Sequence, residues 1–205
     1  MSFTGKRVGK LIVFEGIDGT GKSTHIARLK ERLAMRGLEV VTSFEPTNGK
    51  WGKQLRESAQ SGRMPLQQEV DFFFKDRAEH VETLIAPALA RGAWVLLDRY
   101  YLSMMAYQGA RGQDVSEIRK ANEAFAPVPD AVIWLDIPVH VALERIGGRG
   151  EQDAFETESM LTSCREVFAA IEDDWMLRVD ADGERDLVAD RVWSALTPLL
   201  KIWGE

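Results

Sequence analysis

The chain has 205 residues, 45% of them hydrophobic and 28% charged, with 26 basic against 32 acidic side chains and a net charge of −6 at pH 7. That length suits one well-buried domain (residues 1–205) and is short for two, and the composition is that of a soluble globular protein. The negative balance excludes a broad nucleic-acid surface but not a phosphorylated small molecule, because a few focused arginines can hold phosphate in an acidic protein.

No apolar run approaches the roughly 20 residues of a membrane-spanning helix, and residues 1–10 lack the apolar core of a signal peptide. The expectation is a cytoplasmic protein with no membrane partner. The single cysteine, Cys164, has no intrachain disulfide partner and no metal-ligand spacing around it, and is read as helix packing.

Strand and helix patterns alternate along the chain, which predicts a mostly parallel sheet covered on both faces. Residues 10–15 read as the first strand, and 22–36 as a helix stopped by Gly37. A second strand follows at 38–43, then the loop 45–49 and a short helix starting near Trp51. Pro65 opens a long helical pattern over 66–90, with a bend or break expected near Pro87. Residues 93–97 form a compact strand that delivers Asp98, Arg99 and Tyr100. Two helical segments divided around 109–113 come next, then a strand at 131–136 and a helix opened by Pro138. A polar loop beginning at 147 precedes a helix at 156–173, a last strand at 175–179 and a closing helix at 186–202.

Residues 16–23, GIDGTGKS, fit the phosphate-binding pattern G-x-x-x-x-G-K-[ST] between a buried strand and a helix N-terminus. The glycines let backbone N–H groups turn inward around phosphate oxygens, and the helix end adds positive potential. Gly16, Ile17, Asp18, Gly19, Thr20, Gly21, Lys22, Ser23 and Thr24 are thus candidates for binding a nucleoside triphosphate. Lys22 would reach the outer phosphates and the Ser23 hydroxyl would ligate Mg²⁺; the alternative is an ordinary glycine-rich turn. Ligands of open parallel sheets bind beyond the carboxyl ends of the strands, so this loop, Glu45, Asp98, Arg99 and Asp180 should line one crevice. His25, His80 and His140 do not fall there and are read as surface or packing residues. Phe73 and Arg77, four apart on one helix face, offer an aromatic plane and a donor fork that suit a pyrimidine; core packing is the alternative for Phe73.

The run 14–24, FEGIDGTGKST, resembles the start of the thymidylate kinases, and three later segments agree in order and spacing: 73–80 (FFKDRAEH), the DRY at 98–100 continuing to Ser103 and 106–109 (AYQG), and an arginine-bearing segment from Arg145 to Glu156. The resemblance spans residues from about 11 to 180. It implies a three-layer α/β/α P-loop kinase fold with a five-stranded parallel sheet and a short lid at about 147–156. It also implies transfer of the ATP γ-phosphoryl group to dTMP with Mg²⁺ as cofactor, and a homodimer formed through helical faces. A nucleotide acceptor needs no general base, because its phosphate, with a second pKa of about 6, is already ionised near neutrality.

The resemblance places Arg99 on the acceptor phosphate, with a structural ion pair as the alternative. Asp98, at the strand end, would orient Mg²⁺ through water, with a helix cap as the alternative; the resemblance places Asp18 on the acceptor 3′-hydroxyl, with loop hydrogen bonding as the alternative. Glu45, Phe73, Arg77, Ser103, Tyr107 and Gln108 join Asp18 and Arg99 around the acceptor. Tyr107 would pack on the sugar and disfavour a 2′-hydroxyl, or pack in the core; Gln108 would contact the base or cap the helix. Arg145 is assigned to adenine stacking and Arg149 to transition-state charge, or to solvent as a loop charge.

Several positions depart from the family pattern. Phe44 stands where many relatives carry arginine, with Lys50 or Lys53 as candidate replacements for the charge. Gly19 excludes a catalytic arginine in the phosphate loop, Ala154 stands where the lid usually has one, and Met104 replaces a polar group near the base. Two alternatives follow: a deoxynucleoside kinase with Glu45 as base, and a nucleotide-binding paralogue with little activity.

Overall fold

The computed structural model describes residues 8–147 and 157–203. Among them, five parallel strands form one sheet: β1 (Lys10–Glu15), β2 (Val40–Phe44), β3 (Trp94–Asp98), β4 (Ala131–Asp136) and β5 (Met176–Asp180), in the order β2-β3-β1-β4-β5. The three inner strands carry unbroken apolar runs and are buried on both faces, as parallel strands covered by helices must be. Edge strands β2 and β5 are half-buried or exposed along most of their length.

The helices are α1 (Lys22–Ala34), α2 (Lys50–Ser61), α3 (Leu66–His80), α4 (Ala86–Ala90), α5 (Tyr101–Gly109), α6 (Val115–Glu123), α7 (Val139–Gly147), α8 (Glu158–Ala169) and α9 (Arg185–Ile202). Contacts of α1 with α9, and of α5 with α3, α6 and α8, correspond to the two outer layers that right-handed crossovers build. The three-layer α/β/α architecture is as expected.

Pro87 interrupts the pattern expected to run from 66 to 90. Lacking an N–H and crowding the carbonyl one turn back, it is preceded by a π-helical turn at Val81–Ile85 that separates α3 from α4. The first helix stops at Ala34, two residues short of the expected end, because the N–H of Gly37 (φ 78°) turns back to Ala34 and that of Leu38 to Leu33. Helix α8 begins later than expected because the Thr157 hydroxyl caps it, accepting from the Met160 N–H at 3.2 Å. Residues 148–156, most of the expected lid, lie outside the described residues, and Arg149 with them.

Strand register builds the crevice. Phe14 on β1 and Phe44 on β2 both lie level with Asp98 on β3. The Arg99 N–H donates to the Phe14 carbonyl at 3.0 Å and the Glu45 N–H to the Asp98 carbonyl at 3.0 Å. Glu15, Arg99 and Glu45 therefore stand side by side at the strand ends. Here β1 sends its connection to one edge of the sheet and β3 toward the other, the switch point at which open sheets bind ligands.

Candidate active site

The phosphate loop closes tightly on its neighbours. A Cβ at Gly16 (φ 137°) would stand 2.5 Å from the Leu135 carbonyl, and one at Gly19 (φ 82°) 2.7 Å from the Ala142 carbonyl on α7. Both positions thus require glycine for space as well as backbone conformation. The Lys22 ammonium, 7% exposed, donates to the carbonyls of Gly16 at 3.2 Å and Ile17 at 3.1 Å. Burial and the charge of Arg99 lower its pKa, against the pull of Asp18, Asp98 and Glu15.

Lys22, Ser23, Asp98 and Arg99 line a cavity of about 590 Å³ over the loop. The Ser23 hydroxyl donates to Asp98 Oδ2 at 2.6 Å, so Asp98 is committed to Ser23 rather than to capping α5, whose N-terminal N–H groups of Tyr100 and Ser103 go instead to Glu15. The pair offers hard oxygen ligands at the outer end of the loop. Mg²⁺ suits it, because that ion takes one or two protein oxygens and completes its shell with phosphate and water. On the far side of the loop a second cavity of about 610 Å³ is lined by Gly19, Thr24, His25, Arg28, Arg145 and Arg185. Arg145 reaches from α7 toward the Gly19 and Ala181 carbonyls at 3.4 and 3.3 Å. His25 belongs here, contrary to expectation. Burial, then Arg28, Arg145 and Arg185, bring its pKa down to about 4, so it is neutral at pH 7.

A third, smaller cavity of about 150 Å³ continues from the first on the α3–α5 side. Asp18, Glu45 and Arg99 belong to both walls. Arg99 sits in the left-handed region at φ 69°. Its NH2 donates to Asp18 Oδ1 at 2.7 Å and to the Tyr107 hydroxyl at 3.3 Å, and its NH1 to Ser103 Oγ at 2.8 Å. Burial works to lower its pKa, but Asp18, Tyr107, Glu15 and Asp98 outweigh it and raise the value well above the ordinary one. The Tyr107 hydroxyl donates to the other Asp18 oxygen at 2.9 Å. The ion pair weighed as an alternative for Arg99 therefore exists, inside the cavity wall.

Phe73, Arg77, Met104 and Gln108 also line this cavity, with Arg63 and Met160 among the remaining lining residues, so the aromatic plane and the arginine fork share a cavity as their spacing predicted. Arg77 is 1% exposed and more fully engaged than expected. Its Nε donates to Glu45 Oε2 at 2.8 Å and its NH1 to Asn122 Oδ1 and, at 3.5 Å, to Met104 Sδ. Gln108 does not cap a helix: α6 is capped by Asp114. Its Nε2 donates to Glu69 at 3.0 Å, and its buried Oε1 has no partner among the described residues.

A second tier of residues escaped sequence reasoning. His80, expected as a packing residue, holds Glu45 Oε1 through Nδ1 at 3.0 Å and meets Ser43 Oγ through Nε2 at 2.8 Å. Asp76 accepts from the Thr47 N–H at 2.7 Å and hydroxyl at 2.6 Å, fixing the loop that carries Glu45. Asn122 anchors Arg77 from α6. Glu15, fully buried, accepts three bonds from the α5 N-terminus, and burial pushes its carboxyl up to about 7 despite the Ser103 and Tyr100 donors and Arg99. Neither lysine proposed to replace a charge at Phe44 lines these cavities: Lys50 lies over the Trp51 ring, 4.6 Å from its centroid. Phe44 itself lines the first cavity.

A glycine-rich loop gripping a buried lysine, a hydroxyl–carboxylate pair beside it and an adjoining apolar pocket that shares an arginine define a P-loop phosphotransferase. Among known proteins, the family described as thymidylate kinase matches residues 14–192. The chain is 69% identical over 197 residues, 96% of either sequence, to a thymidylate kinase of Akkermansia muciniphila. It is 50% identical over 181 residues, 88% of this chain and 80% of the relative, to one of Xanthomonas euvesicatoria. The chain belongs to the thymidylate kinase family.

Proposed function

We propose that this chain transfers the γ-phosphoryl group of ATP to dTMP, giving ADP and dTDP, with the residues of the adjoining cavities in the roles that follow. One observation carries the assignment of roles: Arg99 stands in the wall shared by the loop cavity and the aromatic-lined cavity, fixed between Asp18 and Ser103. A guanidinium there meets an acceptor phosphate at the mouth of the donor site. Phosphoryl transfer then depends on positioning and charge.

On the donor side the loop N–H groups and Lys22 hold the ATP phosphates, and Arg145 flanks adenine. Ser23, with Asp98 through water, would hold Mg²⁺, which would neutralise charge on the transferred group. Arg149 supplies further positive charge from the lid. On the acceptor side Phe73 stacks on thymine and Arg77 faces a ring carbonyl. Gln108, with its Nε2 held by Glu69, presents Oε1 to the ring N3–H. Asp18 takes the 3′-hydroxyl, and Tyr107 fills the space of a 2′-hydroxyl.

A nucleoside kinase with Glu45 as base is disfavoured, since both oxygens of that carboxylate are engaged, one by Arg77 and the other by His80. The test is ADP formation from ATP with dTMP, dUMP, dCMP, dGMP and thymidine. The highest kcat/KM with dTMP is expected; turnover of thymidine alone overturns the assignment. The resemblance further supports a homodimer, to be checked by light scattering.

A further inference from the structure

Glu15 lines neither the loop cavity nor the acceptor cavity, yet it is fully buried directly behind Arg99. One of its oxygens, Oε1, accepts the backbone N–H groups of Tyr100 at 2.9 Å and Ser103 at 3.1 Å. Helix α5 has no side-chain cap of its own, so β1 supplies one from across the sheet. The other oxygen does something a cap does not need: Oε2 accepts the Ser103 hydroxyl at 2.5 Å.

A serine hydroxyl has one proton and two lone pairs. Because the proton goes to Glu15, the lone pairs remain for Arg99 NH1, which Ser103 Oγ accepts at 2.8 Å. With Glu15 ionised, polarity thus runs in one direction, from guanidinium to hydroxyl to carboxylate. Asp18 holds the other arm of Arg99. We infer that Glu15 is the positioning residue for the acceptor-phosphate arginine, setting the orientation of the Ser103 hydroxyl and through it the guanidinium of Arg99. The inference rests on Arg99 binding the acceptor phosphate.

Glu15→Gln isolates the effect. The amide Oε1 still caps Tyr100 and Ser103, but Nε2 is a donor and cannot take the Ser103 proton. A purely structural role for Glu15 predicts equal loss of all acceptor-side ligands. A positioning role predicts loss only of what the phosphate adds. The experiment measures dissociation constants for dTMP and for thymidine by calorimetry, for the wild type, Glu15→Gln, Ser103→Ala, their double variant and Arg99→Ala.

The preference for dTMP over thymidine should fall about tenfold in Glu15→Gln and in Ser103→Ala, with thymidine affinity moving less than twofold. The double variant should lose no more than the larger single effect, because both changes cut one chain. An unchanged preference in Glu15→Gln overturns the inference, as does parallel weakening of dTMP and thymidine, or losses that multiply in the double variant. Should Glu15→Gln fail to fold, an unchanged preference in Ser103→Ala overturns it equally. If Arg99→Ala keeps the preference, the assignment of Arg99 falls, and this inference with it; if Arg99→Ala loses the preference and Glu15→Gln keeps it, only the inference falls.

Discussion

Glu15 makes the stability of this chain depend on pH in a direction opposite to that of an ordinary surface carboxylate. Its carboxyl has a pKa raised from 4.5 to about 7, chiefly by burial. Between those values the folded chain holds a proton that the unfolded chain has released. Stability therefore falls as pH climbs from about 4.5 to about 7 and is flat with respect to this group above that. At about 1.4 kcal/mol for each pKa unit, ionised Glu15 costs the fold about 3 kcal/mol at pH 8. The Gln variant, which cannot ionise, escapes this cost. Urea unfolding of wild type and Glu15→Gln at pH 5 and pH 8 isolates the term, because titrating groups that do not touch Glu15 cancel in the difference between the two proteins. The wild type should lose about 2–3 kcal/mol relative to the variant between those pH values. A difference between the two proteins that does not change with pH refutes the reasoning.

The remaining expectations concern the loop and the two cavities. Lys22→Ala should abolish transfer from ATP, measured as ADP release, because no other buried ammonium reaches the loop carbonyls that Lys22 holds among the described residues. Gly19→Ala should lower the melting temperature and raise KM for ATP, since its Cβ would press on the Ala142 carbonyl; the cost is about 1–3 kcal/mol, and an unchanged melting curve counts against it. Gln108→Ala should narrow the gap in kcat/KM between dTMP and dCMP, as it removes an acceptor that suits the N3–H of thymine and not the unprotonated N3 of cytosine; an unchanged ratio removes Gln108 from base selection. Arg149→Ala should lower kcat more than it weakens ATP binding, and an unchanged kcat removes that arginine from the mechanism.

The loop at 16–23 was legible because its chemistry is contiguous: eight residues, a strand before and a helix after. Asp98 and Arg99 were legible as the delivery point of a buried strand, and Phe73 with Arg77 because helical spacing fixes their common face. The residues behind them were not. The partner of Glu15 lies 88 positions away, and Arg77 meets Asn122 across 45. No local pattern encodes such pairs; they exist only once the strand order brings β1 beside β3 and α5 packs against both α3 and α6. His80 is buried and lines none of the cavities above, as a packing residue would, but its bond to Glu45 is invisible for the same reason. A histidine at the end of a helix reads as packing until the loop after β2 delivers a carboxylate to it.

Arg99 holds its place at φ 69°, a backbone setting that costs a branched or long side chain about 1–3 kcal/mol and a glycine almost nothing. The backbone here favours glycine, whereas the proposed role in phosphate recognition demands arginine. Selection of this chain for heat resistance alone, without demand on turnover, would be drawn toward glycine or asparagine at that position. An arginine persisting there under such selection would mean that its bonds to Asp18 and Ser103 outweigh the strain of its own backbone.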